Sequence, residues 1–67
     1  MGFAGEVHIV RVGQRYRDVD PRAEGREGEV IWVQSERACL RWTTGRKTWV
    51  SFKRLANPRQ YQLVEVA

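Results

Sequence analysis

The chain has 67 residues and a formal net charge of +4, with twelve basic residues, eight acidic residues, one cysteine and one histidine. A chain of this length forms one domain and buries only about 60% of its unfolded surface. One cysteine excludes an internal disulfide framework and a cysteine-rich zinc site, and His8 has no second strong ligand, so the sequence predicts neither a metal nor a cofactor.

No basic segment followed by an apolar run begins the chain, and no apolar stretch approaches the length that spans a membrane. A lone cysteine also fits a reducing compartment. We therefore expect a soluble, cytoplasmic protein that does not bind a membrane. Residues 1–67 are predicted to form a single small barrel domain, with a core in residues 10–66 and a mobile segment at residues 1–6.

The first predicted strand, residues 7–12, carries apolar side chains on both of its faces. A barrel of this size cannot bury both faces alone. We therefore expect the strand to pack in a homodimer or to cover an open barrel edge. Gly13 interrupts the strand, and a polar strand anchored by Tyr16 is predicted at residues 14–19.

A polar loop is predicted at residues 18–25, because paired aspartates, a proline and a glycine cluster there. Asp18 and Asp20 have the spacing of a carboxylate pair for catalysis or cation binding. Neither a histidine nor a calcium-loop pattern accompanies them. We expect instead that they cap the turn or pair with Arg22 and Arg26.

A three-stranded meander is predicted at residues 25–55, where β-branched and aromatic runs are separated by compact turns. Ser35-Glu36-Arg37 is a polar interruption of hairpin length. Thr43-Thr44-Gly45 suits a type I turn that ends with Gly45 in the left-handed conformation. No window has the i, i+3, i+4, i+7 apolar spacing of a helix, so the sequence predicts an all-β core.

The length of the second turn determines how its two strands pair. With residues 43–45 as the loop, Leu40 faces Thr48 and Ala38 faces Val50, whereas a register shifted by one residue would pair core with surface. The predicted core side chains of the meander are Ile31, Val33, Ala38, Leu40, Val50, Phe52 and Leu55.

The opposite face of the meander is predicted to point outward. Trp32, Cys39 and Trp49 are expected to form one row across its strands, because side chains alternate along each strand. Trp42 has the parity of the core but lies near the sheet end, so we expect it to be half-buried. Cys39 has no base near it in the sequence and is expected to be an inert, small apolar residue.

The segment after the meander, residues 53–59, has the composition of a single 3₁₀ turn, and Pro58 bars a long helix. Residues 60–66 are predicted to form a last strand that pairs back near the first. The fold class predicted is therefore all-β, with five or six antiparallel strands and one short 3₁₀ turn before the last strand.

This order of parts resembles the SH3-like small β-barrel, including its KOW and Tudor-like branches. Val12-Gly13-Gln14-Arg15-Tyr16 looks like the Val-x-Gly-x-x-aromatic entry of such domains, and Gly25-Arg26-Glu27-Gly28-Glu29-Val30 looks like their glycine-rich lead into the second strand. The run Tyr16-x-Asp18-x-Asp20-x-Arg22 followed by Gly25-Arg26 is similar to short uncharacterised proteins of actinobacteria and their phages. The resemblance covers residues 10–66 and implies a fold, since a fold alone does not imply a function.

Arginine makes up all but two of the twelve basic residues. Its guanidinium binds phosphate through two parallel hydrogen bonds and stacks on aromatic rings, so the leading hypothesis is a module that binds nucleic acid. Trp32 and Trp49 are predicted to stack on bases. The basic residues predicted to bind nucleic acid or a partner are Arg41, Arg46, Lys47, Lys53 and Arg54.

The alternative is a protein-interaction module of the phage or regulatory kind, which could also self-associate. Exposed Trp, Arg and Tyr dominate protein interfaces as well, so composition alone does not separate the two hypotheses. The chain lacks the Ser-His-Asp, Cys-His, metalloprotease and phosphate-loop patterns, and the sequence therefore predicts no enzyme.

Overall fold

The computed structural model describes residues 10–23 and 25–65. Its elements in chain order are β1 (Arg15–Asp18), a 3₁₀ turn (Pro21–Ala23), β2 (Glu27–Gln34), β3 (Arg37–Trp42), β4 (Lys47–Ser51), α1 (Phe52–Leu55) and β5 (Tyr61–Glu65). The strands form one antiparallel sheet in the order β4-β3-β2-β1-β5. The sheet curls into a half-barrel that is compatible with an SH3-like fold, so the predicted all-β fold class is confirmed.

The β3–β4 hairpin has the predicted register. Leu40 lies opposite Thr48 and Ala38 lies opposite Val50. Gly45 has a φ of 92°, and its amide donates a hydrogen bond of 2.7 Å to the carbonyl oxygen of Trp42. The turn closes with a left-handed glycine because the other residues avoid that conformation.

Strand β2 contains a β-bulge that changes which of its side chains are buried. Val30 lies opposite Leu40 and Trp32 lies opposite Cys39, so Ile31 is the extra residue. An extra residue reverses the alternation of side chains along a strand. Val30 is therefore fully buried, and the prediction that Ile31 belongs to the core was wrong.

The turn between β2 and β3 has two residues, Ser35 and Glu36, and not the three predicted. Ser35 has a φ of 56°, which suits the first central residue of a two-residue hairpin turn. Arg37 is thereby the first residue of β3, opposite Gln34 on β2 and Ser51 on β4. This places its side chain on the sheet and not in the turn.

Trp42 is fully buried, which corrects the prediction that it is half-buried. Its indole N–H donates a hydrogen bond of 2.8 Å to the hydroxyl of Thr48, so burial leaves no unpaired polar atom on the ring. Gly28 lies directly opposite Trp42 and leaves room for the ring. Among the described residues the buried core side chains are Val10, Tyr16, Val30, Ala38, Leu40, Trp42, Val50, Leu55 and Tyr61, with Val33 and Phe52 partly buried against them.

The described part of the predicted first strand, residues 10–12, is not a strand. A turn forms at Gly13, which has a φ of 101°, and the side chain of Gln14 accepts a 2.9 Å hydrogen bond from the amide of Arg11. These local bonds compete with a sheet ladder. Residues 1–9, and with them the predicted mobile segment and half of the predicted dimer strand, lie outside the described residues.

The segment between β4 and β5 begins with α1, a single turn of α-helix. Ser51 caps it, because its hydroxyl accepts a 3.2 Å hydrogen bond from the amide of Arg54. The helix ends at Leu55, and Pro58 follows in a turn that leads into β5. Across residues 10–23 and 25–65, no helix is both long enough and apolar enough to cross a membrane.

Candidate functional site

Two exposed tryptophans lie in one row on the outward face of the sheet. Trp32 on β2 and Trp49 on β4 are both directly opposite Cys39 on β3, and their exposed fractions are 59% and 47%. Neighbouring strands are roughly 4.8 Å apart, so the two tryptophan backbones are about 10 Å apart. We call Trp32, Cys39 and Trp49 the aromatic row.

Cys39 lies on the outward face, as predicted, but only 8% of it is exposed. Side chains at directly opposite positions of adjacent strands are in contact range, so the two large indoles flank the small thiol and cover it. The thiol is free. Strand parity predicts the face of a side chain but not whether its neighbours cover it.

A second row of charged side chains runs beside the aromatic row. Arg15, Glu29, Arg41 and Lys47 occupy opposed positions on β1, β2, β3 and β4, and we call them the charged row. Along β3 and β4 it lies two residues from the aromatic row, which is about 7 Å at the rise of a strand. Arg41 and Glu29 form an ion pair with an N–O distance of 3.6 Å.

Arg37 flanks the aromatic row on its other side. Its guanidinium carbon lies 5.6 Å from the centroid of the Trp49 ring, a cation–π contact. Within the described residues Arg37 has no acidic partner. Sequence reasoning missed this residue because it assigned Arg37 to the turn. A two-residue turn at Ser35-Glu36 would have placed it on β3.

The outward face has an excess of positive charge. On β1 to β4 its charged side chains are Arg15, Arg17, Arg37, Arg41, Lys47, Glu27 and Glu29, so five positive and two negative charges leave +3. Glu27 pairs with Arg17 at 2.9 Å and with Arg15 at 3.5 Å. Exposed pairs of this kind stabilise a protein by only about 0–1 kcal/mol, so a phosphate can compete for the guanidinium groups.

The other predicted binding residues lie apart from these two rows. Arg46 is exposed and follows the β3–β4 turn, and Lys53 is exposed on α1. Arg54, also on α1, has its guanidinium carbon 6.0 Å from the ring centroid of Tyr61. The structure therefore brings together four of the predicted binding residues on the outward face: Trp32, Arg41, Lys47 and Trp49.

Tyr61 belongs to a stack of rings and guanidinium groups at one end of the core. Its ring lies 6.2 Å from that of Trp42, with an interplanar angle of 28°, and the guanidinium of Arg26 lies 4.7 Å from the Trp42 centroid. Arg54 covers Tyr61, so each ring is in contact with a cation. Arg54 is thus held at the far end of this stack.

Asp18 and Asp20 pair with arginines inside the β1–β2 loop, as predicted. Asp18 accepts a 3.1 Å hydrogen bond from Arg26 and Asp20 accepts one of 2.9 Å from Arg22. The hydrogen bonds from the Arg22 side chain and backbone lower the pKa of Asp20 to about 2. In the part of the chain that the structure describes, no cluster of three His, Cys, Asp or Glu residues could hold a metal ion.

We compared the chain with models of protein families, with curated proteins and with solved structures, and nothing matches in any of the three comparisons. The likeness to SH3-like barrels therefore depends on the strand order and the curled sheet. The likeness to actinobacterial and phage proteins has no support beyond the short motif that suggested it.

Proposed function

We propose that this protein is a non-enzymatic module that binds single-stranded nucleic acid on the outward face of β2, β3 and β4. One observation carries the proposal: two exposed tryptophans share a cross-strand row that has basic side chains on both sides. Exposed aromatic rings beside a positively charged track are the usual means of binding single strands without strong sequence preference.

In this proposal the two rows have different roles. Trp32 and Trp49 stack on bases, while Arg41 and Lys47 of the charged row neutralise phosphates. Phosphate and base are separate parts of each nucleotide, so rows about 7 Å apart can be contacted by one strand that runs across the sheet. Arg37 offers a further guanidinium next to Trp49.

The spacing of the tryptophans favours single strands over duplexes. Stacked bases are about 3.4 Å apart along one strand, whereas the backbones that carry the two tryptophans are about 10 Å apart. Consecutive bases must therefore leave their own stack to reach both rings. An unpaired strand does this at little cost, and a duplex has its base faces covered.

Glu29 opposes this binding in part. It lies between Arg15 and Arg41 in the charged row, and its carboxylate is paired with Arg41 at 3.6 Å. A phosphate that approaches Arg41 meets a like charge. We infer moderate affinity that depends strongly on salt, because ionic contacts weaken as counterions compete.

Affinity of labelled oligonucleotides at two salt concentrations tests the proposal. The double variant Arg41→Gln, Lys47→Gln should bind single strands more weakly and show a smaller salt dependence. Arg46→Gln, Lys53→Gln is the control with the same change of charge, since both residues are exposed but lie outside the two rows. Equal affinities of both variants for single-stranded oligonucleotides would show that the outward face is not the binding site.

A protein partner is the alternative outcome of the same experiment. Oligonucleotides would then bind weakly to the unmodified protein at both salt concentrations, and Trp49→Ala would abolish binding to one partner protein. The SH3-like barrel class, the cytoplasmic location and the homodimer through residues 7–12 stay predictions that this experiment does not address.

A further inference from the structure

A polar cleft lies between the β1–β2 loop and the segment that follows α1. It has a volume of about 540 Å³, which is within the usual size of small-molecule sites. Residues 18–21 and Arg26 line it together with Arg54, Arg59, Gln60 and Tyr61. None of the residues of the aromatic row or the charged row lines the cleft.

The acidic side chains of the cleft are already neutralised by neighbouring arginines. Asp18 pairs with Arg26 at 3.1 Å, and its other oxygen accepts a 3.0 Å hydrogen bond from the amide of Asp20. Asp20 is held by the backbone and the side chain of Arg22. Two other arginines that line the cleft, Arg54 and Arg59, have no acidic partner among the described residues.

Arg54 is oriented by two contacts and has part of its hydrogen-bonding capacity unused. Its Nε donates a 3.1 Å hydrogen bond to Oε1 of Gln60, and its guanidinium covers the ring of Tyr61. Its terminal nitrogens make no hydrogen bond to the described residues. A planar guanidinium fixed in this way is ready to bind an oxyanion through two parallel bonds.

A turn at residues 57–60 holds the backbone of Arg59. The side chain of Asn57 accepts a 3.0 Å hydrogen bond from the Arg59 amide, and the Gln60 amide donates to the carbonyl oxygen of Asn57 at 3.0 Å. These bonds fix the backbone while the Arg59 side chain stays exposed. Arg54 and Arg59 line the same cleft.

We propose that this cleft binds a phosphate group with two negative charges, and that Arg54 and Arg59 are its ligands. Two guanidinium groups match a dianion better than the single charge of a phosphodiester, so a terminal phosphate is preferred over the backbone of a nucleic acid. The group can come from inorganic phosphate or from a phosphate monoester. The cleft is separate from the outward face, and this proposal does not depend on nucleic-acid binding by the outward face.

A titration followed by nuclear magnetic resonance tests the cleft directly. The probes are inorganic phosphate, a nucleoside monophosphate, and a dinucleoside whose two halves are joined by a phosphodiester and which has no terminal phosphate. Chloride salt keeps the ionic strength the same in all three titrations. We expect saturable shifts at Arg54 Nε–H and the Gln60 side-chain amide with the first two probes and none at these groups with the third. Tighter binding of the nucleotide than of phosphate would identify a monoester as the source.

Two double variants make the result specific. Arg54→Gln, Arg59→Gln should weaken phosphate binding at least tenfold, and Arg41→Gln, Lys47→Gln should leave it unchanged. Dispersed amide signals in both variants show that each is folded. Shifts that do not saturate, or an equal loss of phosphate affinity in both variants, would contradict the proposal that the cleft binds phosphate. Oligonucleotides without terminal phosphates should bind Arg54→Gln, Arg59→Gln normally, so failure of the cleft and failure of the outward face are distinguishable.

Discussion

The core leaves no room for a side chain at Gly28. Gly28 lies opposite both Tyr16 and Trp42, and a Cβ atom there would lie 2.7 Å from Cε3 of Trp42. Gly28→Ala should therefore destabilise the protein by about 1–3 kcal/mol, the usual cost of overpacking a core. Urea unfolding measures the loss.

The indole N–H signal of Trp42 provides a second readout of the same variant, because the ring must move and lengthen its bond to Thr48. Gly45→Ala is the control: an added Cβ there contacts nothing within 4 Å, so only backbone strain at a φ of 92° is introduced. An unshifted Trp42 signal in Gly28→Ala would contradict the close packing.

Leu40→Ala should destabilise the protein by roughly 2–5 kcal/mol, the usual cost of a cavity at a buried leucine. Leu40 on β3 is fully buried, whereas Leu63 on β5 is 39% exposed. Leu63→Ala is therefore the matched control and should cost much less in free energy of unfolding. The denaturant midpoints of the two variants measure these losses, and equal losses of stability would contradict the burial of Leu40.

Glu29→Gln should strengthen the binding of single-stranded oligonucleotides. The substitution removes a negative charge from the charged row and releases Arg41 from its ion pair. Glu36→Gln is the control with the same change of charge, because Glu36 lies in the β2–β3 turn and forms no ion pair in the described chain. Fluorescence anisotropy at low salt measures both affinities, and an equal gain would mean that only net charge matters.

At the scale of elements, the β3–β4 hairpin could be predicted because loop length and side-chain alternation agreed on one register. The bulge in β2 could not be predicted in the same way. Val30 and Ile31 are both β-branched and apolar, so the sequence does not mark which of them is the extra residue. The two-residue turn at Ser35 was also missed, because a serine with positive φ has no strong sequence signal.

The stability that the β1–β2 loop contributes to the fold should depend on pH through Asp20. Hydrogen bonds from Arg22 lower the pKa of Asp20 from its ordinary value of 3.8 to about 2. A carboxylate whose pKa is lowered by folding stabilises the folded state above its unfolded pKa and loses that effect as the pH falls. The stabilisation should be complete above pH 3.8 and should disappear as the pH falls to about 2.

Carboxyl resonances of Asp20 measure this pKa directly. Arg22→Gln should return it towards 3.8, because the side-chain hydrogen bond from Arg22 is its largest cause. Arg59→Gln provides the comparison, since Arg59 lines the same cleft without pairing with Asp20. An Asp20 that titrates near 3.8 in the unmodified protein would rule out the ion pair as described.

At the scale of the whole molecule, the fold separates charges that are interleaved along the sequence. The sequence predicted the meander of β2, β3 and β4 and the outward face for Trp32 and Trp49, because both follow from local patterns. It placed Arg54 with Arg41 and Lys47, whereas the helical turn after β4 directs Arg54 to the cleft beside Tyr61. Such a separation depends on the path of the chain in three dimensions, which periodicity along the sequence does not encode.

Tryptophan fluorescence during titration with a single-stranded oligonucleotide at low salt tests the central claim most directly. Trp32 and Trp49 are exposed and Trp42 is buried, so stacking bases should quench most of the signal of the first two and leave that of Trp42. Trp32→Phe and Trp49→Phe should each lose part of the quenching, and added salt should weaken binding. If neither quenching nor a spectral shift appears at micromolar protein, the outward face does not bind nucleic acid.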